Sequence, residues 1–253
     1  MSFDGMFDGK VVLVTGGSRG LGKAISEGFA AAGAKVVVSS RKLENCEAVV
    51  AGIRDSGGEA YPIAAHVGDI GSLDGLIDGT YAQYGKLDIL VNNAGTNIAM
   101  GPLSDLTPEQ YDKMYQVNQR GPWYLASRAA PKMGEHGGGC IINLLSVAAL
   151  RPQAYMGFYA STKAALEAMT KVMAQEWSAL NIRVNGIAPG TYHSDLTDGA
   201  MAAIPNFEEG VFSRQLIQRI ADSEEILKPI FYLADDSYTT GVTLVADAGM
   251  TAM

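Results

Sequence analysis

The sequence predicts an α/β fold, a doubly wound parallel sheet of seven strands flanked by helices in a single domain. Short apolar runs alternate with segments of helical period along the 253 residues, and that order specifies a parallel sheet covered on both faces. The runs are continuous rather than alternating, which suits strands buried on both sides. The 30 glycines are spread through the chain, with clusters at 16–22 and 137–139 beside apolar runs, and no repeat, low-complexity tract or Pro/Ser/Gly-rich boundary divides the chain.

Lys10–Thr15 is the first strand, followed by a glycine turn and a helix from about Leu21 to Ala32. Leu21, Ala24, Ile25, Gly28, Phe29 and Ala32 share one helical face, and Gly33 stops the helix as its C′ residue. Lys35–Ser40 is the second strand and 42–56 a helix ending at Gly57-Gly58. Ala60–His66 is the third strand, 71–84 the third helix and Leu87–Asn92 the fourth strand. A long helix begins after Leu106, where Thr107-Pro108-Glu109-Gln110 offers an N-cap, a proline at N1 and a glutamine at N3. Cys140–Leu145 is the fifth strand, 158–179 the fifth long helix, Ile182–Ile187 the sixth strand and Val242–Val245 the seventh. Ligands in such sheets bind at the carboxyl ends of the strands, at the switch in strand order.

Composition removes several function classes. Nineteen Lys and Arg against 27 Asp and Glu give a net charge of −8, and a pI near 4.9 argues against nucleic acid and anionic membranes, both of which require a positive footprint. No apolar run approaches the roughly 18 residues of a membrane span. Cys46 and Cys140 are too few for a disulfide framework or a four-cysteine zinc site, and His136 and His193 lack metal-type neighbours, so no metal is expected. The start, MSFDGMFDGK, carries no secretory signal. The expectation is a cytoplasmic protein with a small-molecule substrate.

Four motifs carry chemistry. The turn Thr15-Gly16-Gly17-Ser18-Arg19-Gly20-Leu21-Gly22 joins the first strand to the first helix, where glycines let a pyrophosphate approach the backbone and the helix N-terminus. At the end of strand two, where an NAD site carries an acidic residue for the ribose 2′-hydroxyl, the chain has Ser40 followed by Arg41. A guanidinium binds a 2′-phosphate bidentately, and Arg19 could approach the same phosphate. The plainer alternative is solvated surface cations. Asn92-Asn93-Ala94-Gly95 ends strand four and either satisfies loose strand-end backbone groups or lines a cofactor. Tyr159 and Lys163 share a helical face, and a cation near a phenol lowers its pKa, making it a general acid–base.

Together these pieces resemble the classical short-chain dehydrogenase/reductase family, in order from about residue 8 to 249. The glycine turn matches Thr-Gly-x-x-x-Gly-x-Gly, strand four ends in Asn-Asn-Ala-Gly, and Tyr159-Ala-Ser-Thr-Lys163 matches the catalytic motif. Asn118 and Ser146 sit at the family's catalytic asparagine and serine, and Asn185-Gly-Ile-Ala-Pro189-Gly190 matches the segment beside the nicotinamide. The resemblance implies a Rossmann fold and hydride transfer between NADP(H) and a carbonyl or alcohol, of NADP-preferring carbonyl reductase type. Tyr159 would be the acid, Lys163 the ribose ligand that lowers the Tyr159 pKa, Ser146 a donor to the substrate oxygen and Asn118 the anchor of a proton-return water chain. It implies cofactor contacts at Gly16, Ser18, Arg19, Gly20, Leu21, Gly22, Ser40, Arg41, His66, Val67, Asn93, Ala94, Gly95, Tyr159, Lys163, Pro189, Gly190, Tyr192 and Ser194, with a cofactor half over 8–150 and a catalytic half over 151–253. His66 replaces the family's aspartate after strand three and is either an adenine contact or a packed loop residue; Tyr192 and Ser194 replace the usual Ile and Thr.

Substrate contacts are expected from Gln153, Ala154, Tyr155, Met156 and Phe158, and from a lid over 191–213 that holds Tyr192, His193, Leu196, Met201, Ile204, Phe207 and Phe212. Aromatics and methionines suggest an apolar or ring-bearing carbonyl compound, and no cluster of Arg or Lys favours an anionic one. Gly190, Gly199 and Gly210 could relax the lid backbone. Met114, Trp123, Leu125, Leu166, Met169 and Trp177 exceed what one buried face needs, and the family expectation is a homotetramer. The alternatives are a 3-oxoacyl thioester reductase, which the negative charge disfavours, and a silent NADP-binding protein, which the intact Ser146, Tyr159 and Lys163 disfavour.

Overall fold

The strands and helices alternate as expected. The computed structural model describes residues 3–203 and 205–253. In order they are β1 (Val11–Thr15), α1 (Gly20–Ala31), β2 (Lys35–Ser40), α2 (Leu43–Asp55), β3 (Glu59–Ala64), α3 (Ile70–Tyr84), β4 (Ile89–Asn92), α4 (Pro108–Tyr115), α5 (Gly121–Glu135), β5 (Gly139–Leu144), α6 (Val147–Leu150), α7 (Gly157–Glu176), β6 (Ile182–Pro189), α8 (Asp195–Ala203), α9 (Phe207–Phe212), α10 (Leu227–Asp235) and β7 (Thr243–Ala246). The seven strands form one parallel sheet in the order β3-β2-β1-β4-β5-β6-β7. The order reverses between β1 and β4, and this opens the crevice where a ligand can bind.

All five residues of β1 are buried, because helices cover both faces of the sheet. Val12 and Val14 point into a core with Phe7, Phe29 of α1 and Phe231 of α10, whose rings meet edge-on or tilted near 5 Å. Val11 and Leu13 face the other core, with Leu73 and Leu76 of α3, Leu125 and Met133 of α5, and Met173 of α7. Among the described residues no helix is long and apolar enough to cross a membrane.

The structure corrects several boundaries. The third strand ends at Ala64, not His66, because its partner β2 runs out at Ser40, which pairs with Ala64. The long helix after Thr107, with its capping box to Gln110 in place, is not continuous. A π-turn at 116–120 separates α4 from α5. Pro122 explains the break, since it has no N–H to return to the carbonyl of Asn118 four residues earlier. The lid is not an irregular loop, because it contains α8 and α9, and Gly199 and Gly210 lie inside those helices. Of the six residues offered for an interface, Met114, Leu125 and Leu166 are fully buried within one chain, and Met169 and Trp177 pack against its core; Trp123 is exposed.

Candidate active site

The crevice begins at the glycine turn. Gly16 has φ +64°, and a Cβ there would meet Ala94 Cα at 2.9 Å. A Cβ on Gly22 would sit 2.1 Å from the Gly16 carbonyl oxygen. The turn is therefore folded back on itself as only glycine allows. It feeds α1, which starts without a side-chain cap, in contrast to the capped α4. Its first-turn N–H groups have no helical acceptor, and with the helix dipole behind them they suit an anion such as a pyrophosphate. The residues thus fit a dinucleotide. Ser18, Arg19, Gly20 and Leu21 complete this turn, and Ser194 lies against it, its Cβ 3.3 Å from a Cβ built on Gly20.

Asn93 holds the turn from the strand-four side. Its Nδ2 donates to the Thr15 and Gly16 carbonyls at 2.9 and 3.2 Å, while the Asn93 and Ala94 N–H groups both donate to Thr15 Oγ1 at 3.1 Å. The structural reading of this asparagine pair therefore holds for the side chain of Asn93. Asn92, buried, donates to Asn143 Oδ1 at 2.9 Å and ties β4 to β5.

At the end of β2 the Ser40 hydroxyl donates to the Lys42 carbonyl at 3.3 Å and contacts Cys46 Sγ at 3.1 Å, and Arg41 is exposed. Beyond β3, His66 Nδ1 accepts from the Gly68 N–H at 3.0 Å. The ring is folded into its own loop, and desolvation first, then Lys113 and more weakly Arg41, lower its pKa. Val67 packs under the loop, its carbonyl oxygen 2.1 Å from a Cβ built on Gly121.

Ser146, Tyr159, Lys163 and Asn118 converge at the carboxyl ends of β4 and β5. Ser146 caps α6 by accepting the Ala148 N–H at 3.1 Å, which fixes its hydroxyl oxygen. Tyr159 stands on the first turn of α7; burial pushes its phenol up, and a hydrogen bond with Ser146 opposes this. Lys163 Nζ, 5.9 Å from the Tyr159 ring centre, donates to the Leu144 carbonyl at 2.6 Å. Desolvation lowers the Lys163 pKa to about 8. The expected depression of the tyrosine by the lysine is therefore not the dominant effect in this arrangement. Burial raises the phenol and weakens the lysine's hold on its proton.

Asn118 spends its side chain on positioning. Its Oδ1 accepts from the Thr96 N–H at 2.7 Å, and its Nδ2 donates to the Thr96 carbonyl at 2.8 Å and Thr162 Oγ1 at 3.2 Å. A Cβ on Gly95 would lie 3.5 Å from both Asn118 Oδ1 and Lys163 Nζ, so the strand-four loop and α7 meet here. Pro122, four residues after Asn118, has no N–H to offer the Asn118 backbone carbonyl, a spacing visible in the sequence.

The expected substrate residues divide. Tyr192 is a correction: its ring is buried in the first core and its hydroxyl donates to the Ala246 carbonyl at 3.3 Å, leaving only its backbone for a ligand. Pro189 ends β6 beside it and Gly190 follows, with Asp247 Cα 2.7 Å from a Cβ built on Gly190. His193 pairs with Asp198 at 3.0 Å and braces the lid. Met201 and Phe207 line a hollow of about 450 Å³ between α8 and α9; Ile204 and the Leu196 side chain lie outside the described residues. Phe158 packs edge-on against Tyr111. Met156 caps α7. Tyr155 is exposed with φ +68°, an outlier for a bulky residue that costs about 1–3 kcal/mol and accumulates at ligand clamps. Gln153 Oε1 accepts from Arg214 Nη1, a residue not anticipated because it lies 61 positions away. Among the described residues no group of His, Cys, Asp or Glu could hold a metal ion.

Comparison with known proteins gives this geometry its context. The chain is 36% identical over 253 residues to an uncharacterized oxidoreductase of Thermotoga maritima, covering 98% of this chain and 99% of the relative. It is 35% identical to the short-chain dehydrogenase/reductase SDRA of Arabidopsis thaliana, over 96% of this chain and 95% of the relative. It is also 35% identical to the 7alpha-hydroxysteroid dehydrogenase of Escherichia coli K12, over 96% and 94%. A solved 7α-hydroxysteroid dehydrogenase in complex with NADH and 7-oxo glycochenodeoxycholic acid superimposes with a TM-score of 0.91 at 33% identity, covering 98% of this chain and 96% of that one. A short-chain type dehydrogenase/reductase from Mycobacterium marinum does so at 0.92 and 31%, over 100% and 98%. The family model for short chain dehydrogenases matches residues 10–204, from the first strand through the glycine turn and the Tyr159 helix to the lid, so the chain belongs to the short-chain dehydrogenase family, nicotinamide-dependent oxidoreductases of carbonyl and alcohol groups.

Proposed function

We propose that the chain is an NADP(H)-dependent oxidoreductase that interconverts a ketone or aldehyde and an alcohol, with Tyr159 as general acid–base. The observation that carries this reading is the convergence of Ser146, Tyr159 and Lys163 on the strand-four loop, whose Gly95 faces Lys163 and whose Ala94 lies against the glycine turn. The nicotinamide cofactor, when bound, supplies or accepts hydride. Gly16, Ser18, Gly20, Leu21 and Gly22 would hold its pyrophosphate, and Ala94, Gly95, Pro189, Gly190, the Tyr192 backbone and Ser194 its nicotinamide end. His66 and Val67 would border the adenine. This makes 8–150 the cofactor half, 151–253 the catalytic half and 191–213 the lid.

Tyr159 donates its proton to the substrate oxygen as that oxygen gains charge, and Ser146 donates a second hydrogen bond to it. Two donors aimed at one developing charge stabilise the transition state more than the ground state. The raised phenol pKa keeps Tyr159 protonated in the reductive direction. The Lys163 ammonium, near its midpoint at about pH 8, stabilises the phenolate and relays the replacement proton. Asn118, whose carbonyl lacks its helical donor, anchors the water chain that delivers it.

NADP preference is supported by the absence of a carboxylate at Ser40 and by Arg41 and Arg19, two guanidiniums for a dianionic 2′-phosphate. Charge-assisted bonds of about 1.5–3 kcal/mol each would favour NADPH over NADH by a factor on the order of 30 to 1,000. A cofactor-oxidation screen over ketones, aldehydes, sugars and acyl thioesters with both nucleotides tests the reading. Arg41→Ala should raise the NADPH KM and leave that for NADH nearly unchanged. Wild-type enzyme using NADH as well as NADPH at matched low concentration overturns the cofactor choice. A homotetramer in the cytoplasm is the assembly we favour, with exposed Trp123 of α5 and Val172 of α7 as the apolar groups left for an interface; light scattering that finds only monomer at micromolar concentration counts against it.

A further inference from the structure

The chain returns from the lid along 213–220, and there it crosses to the loop that precedes Tyr159. Residues 193–220 are pinned at their base, where Tyr192 bridges Ala221 and the His193 N–H donates to the Ala221 carbonyl at 2.8 Å. The return arm is fixed too, with the Leu216 and Ile217 N–H groups both donating to the Ala248 carbonyl at 2.8 and 3.0 Å. On this arm Arg214 donates from Nε to the Gly210 carbonyl at 2.7 Å and from Nη1 to Gln153 Oε1. Both partners are neutral oxygens. Arg128 and Arg219, by contrast, meet carboxylates of Asp74 and Glu225. Arg151, two residues before Gln153, also bonds a neutral oxygen, the Met250 carbonyl at 2.6 Å. In a chain of net charge −8, two guanidiniums with no carboxylate partner among the described residues thus stand at the same loop.

Beside them the surface is apolar. Tyr155 is 62% exposed, as are Met100 and Leu103. The Tyr155 carbonyl accepts the Gly101 N–H at 3.0 Å, which draws the 100–103 loop against it, and Leu103 covers Gly157 at the start of α7. A bulky residue in a left-handed conformation with its ring in solvent, next to further exposed apolar groups, marks a binding surface.

We infer that Arg214, with the exposed side chains of Tyr155, Met100 and Leu103, forms a subsite for an amphipathic substrate: an apolar body carrying the carbonyl, ending in a carboxylate. This rests on the carbonyl–alcohol reading above and names its substrate class. Gln153 Oε1 stands where one carboxylate oxygen would accept from the guanidinium. An ionised acceptor makes the stronger, shorter bond and can engage the fork bidentately, so the acid displaces the amide and the body lies along Tyr155.

The test compares a cyclic ketone bearing a carboxylate-ended side chain with its methyl ester, each with NADPH. The wild type should favour the acid in kcat/KM by roughly two- to fivefold, as a partly exposed ion pair allows. Arg214→Ala should bring the acid-to-ester ratio close to one, mainly through KM for the acid. Arg214→Lys, which keeps the charge and loses the fork, should retain part of the preference. Equal efficiency for acid and ester in the wild type, or a ratio unmoved by Arg214→Ala, overturns the subsite while leaving the oxidoreductase reading standing. If neither compound is turned over with either nucleotide, the oxidoreductase reading fails for this class. Calorimetric titration of the acid then decides the subsite: binding to the wild type that is lost in Arg214→Ala supports it, and equal binding or none by the wild type overturns it.

Discussion

The glycines of the 16–22 turn and those of the 193–220 segment do opposite things. In the turn, Gly16 and Gly22 are required by contacts at 2.9 and 2.1 Å that no Cβ could share. In the lid, Gly199 and Gly210 sit inside exposed helices where a Cβ would meet nothing within 4 Å. The first set buys a fixed shape at the end of β1; the second only weakens two short helices, whose segment is held mainly at its base and by Arg214. The same contrast runs through the polar groups. Around Tyr159 they are buried and committed, as with Lys163 on the Leu144 carbonyl. In the lid they are exposed pairs such as His193 with Asp198. The difference teaches where the polar groups are spent: around Tyr159 they are desolvated and committed, whereas those of the 193–220 segment stay near water, and on the function proposed above the first set would hold the reacting atoms and the second would choose the substrate.

The strongest way to break this division is Tyr159→Phe. Removing the hydroxyl and keeping the ring should lower kcat by roughly 10²–10⁴-fold for every substrate while nucleotide binding persists. Steady-state rates comparable with the wild type would show that the committed region is not the reacting centre.

Lys163 sharpens the comparison through stability. Its folded pKa of about 8 lies below the ordinary 10.5, so the unfolded chain binds this proton more tightly. Below pH 8 the charged, buried ammonium costs the fold about 3 kcal/mol. That cost is relieved as pH rises from about 8 toward 10; above about 10 the unfolded chain's tyrosines ionise while Tyr81 and Tyr84 hold their protons to about 12, so stability falls again. Lys163→Met should therefore abolish turnover yet raise the Tm at pH 7 without added cofactor, less about 1 kcal/mol for the lost bond to Leu144. It should also flatten the rise in stability between pH 8 and 10. A Tm at pH 7 below that of the wild type would refute the buried-charge account.

The smallest effects come from one substitution made in both regions. Gly22→Ala should destabilise by about 1–3 kcal/mol through overpacking against the Gly16 carbonyl. Gly210→Ala should stabilise by about 0.5–1 kcal/mol by raising helix propensity in α9, and slow hydrogen exchange over 207–212. Denaturant midpoints moving in the same direction for both variants would erase the distinction between the two segments.

Legibility followed sequence distance. The strand β1, the glycine turn, the capping box at Thr107 and the Tyr159/Lys163 spacing are written locally, in apolar runs, backbone-permissive residues and helical period, and the structure has them where the pattern put them. The end of β3 was misread because a strand stops where its neighbour stops, and Ser40 is 24 positions from Ala64. The π-turn was hidden because a long amphipathic pattern reads through it, although Pro122 carried the clue. Tyr192 looked like a ligand contact because an aromatic beside a motif gives no sign of whether its ring turns inward.

By itself the sequence determined the parallel architecture, the glycine turn and the identities of the groups that meet at the crevice, since each depends on neighbours within a few residues. Only the tertiary structure decided how those groups are poised. Desolvation of Lys163, the opposition of burial and Ser146 at Tyr159, the spent amide of Asn118 and the approach of Arg214 to Gln153 all depend on what the fold brings within a few ångströms. Burial and charge act through space, and spacing along the chain does not report them.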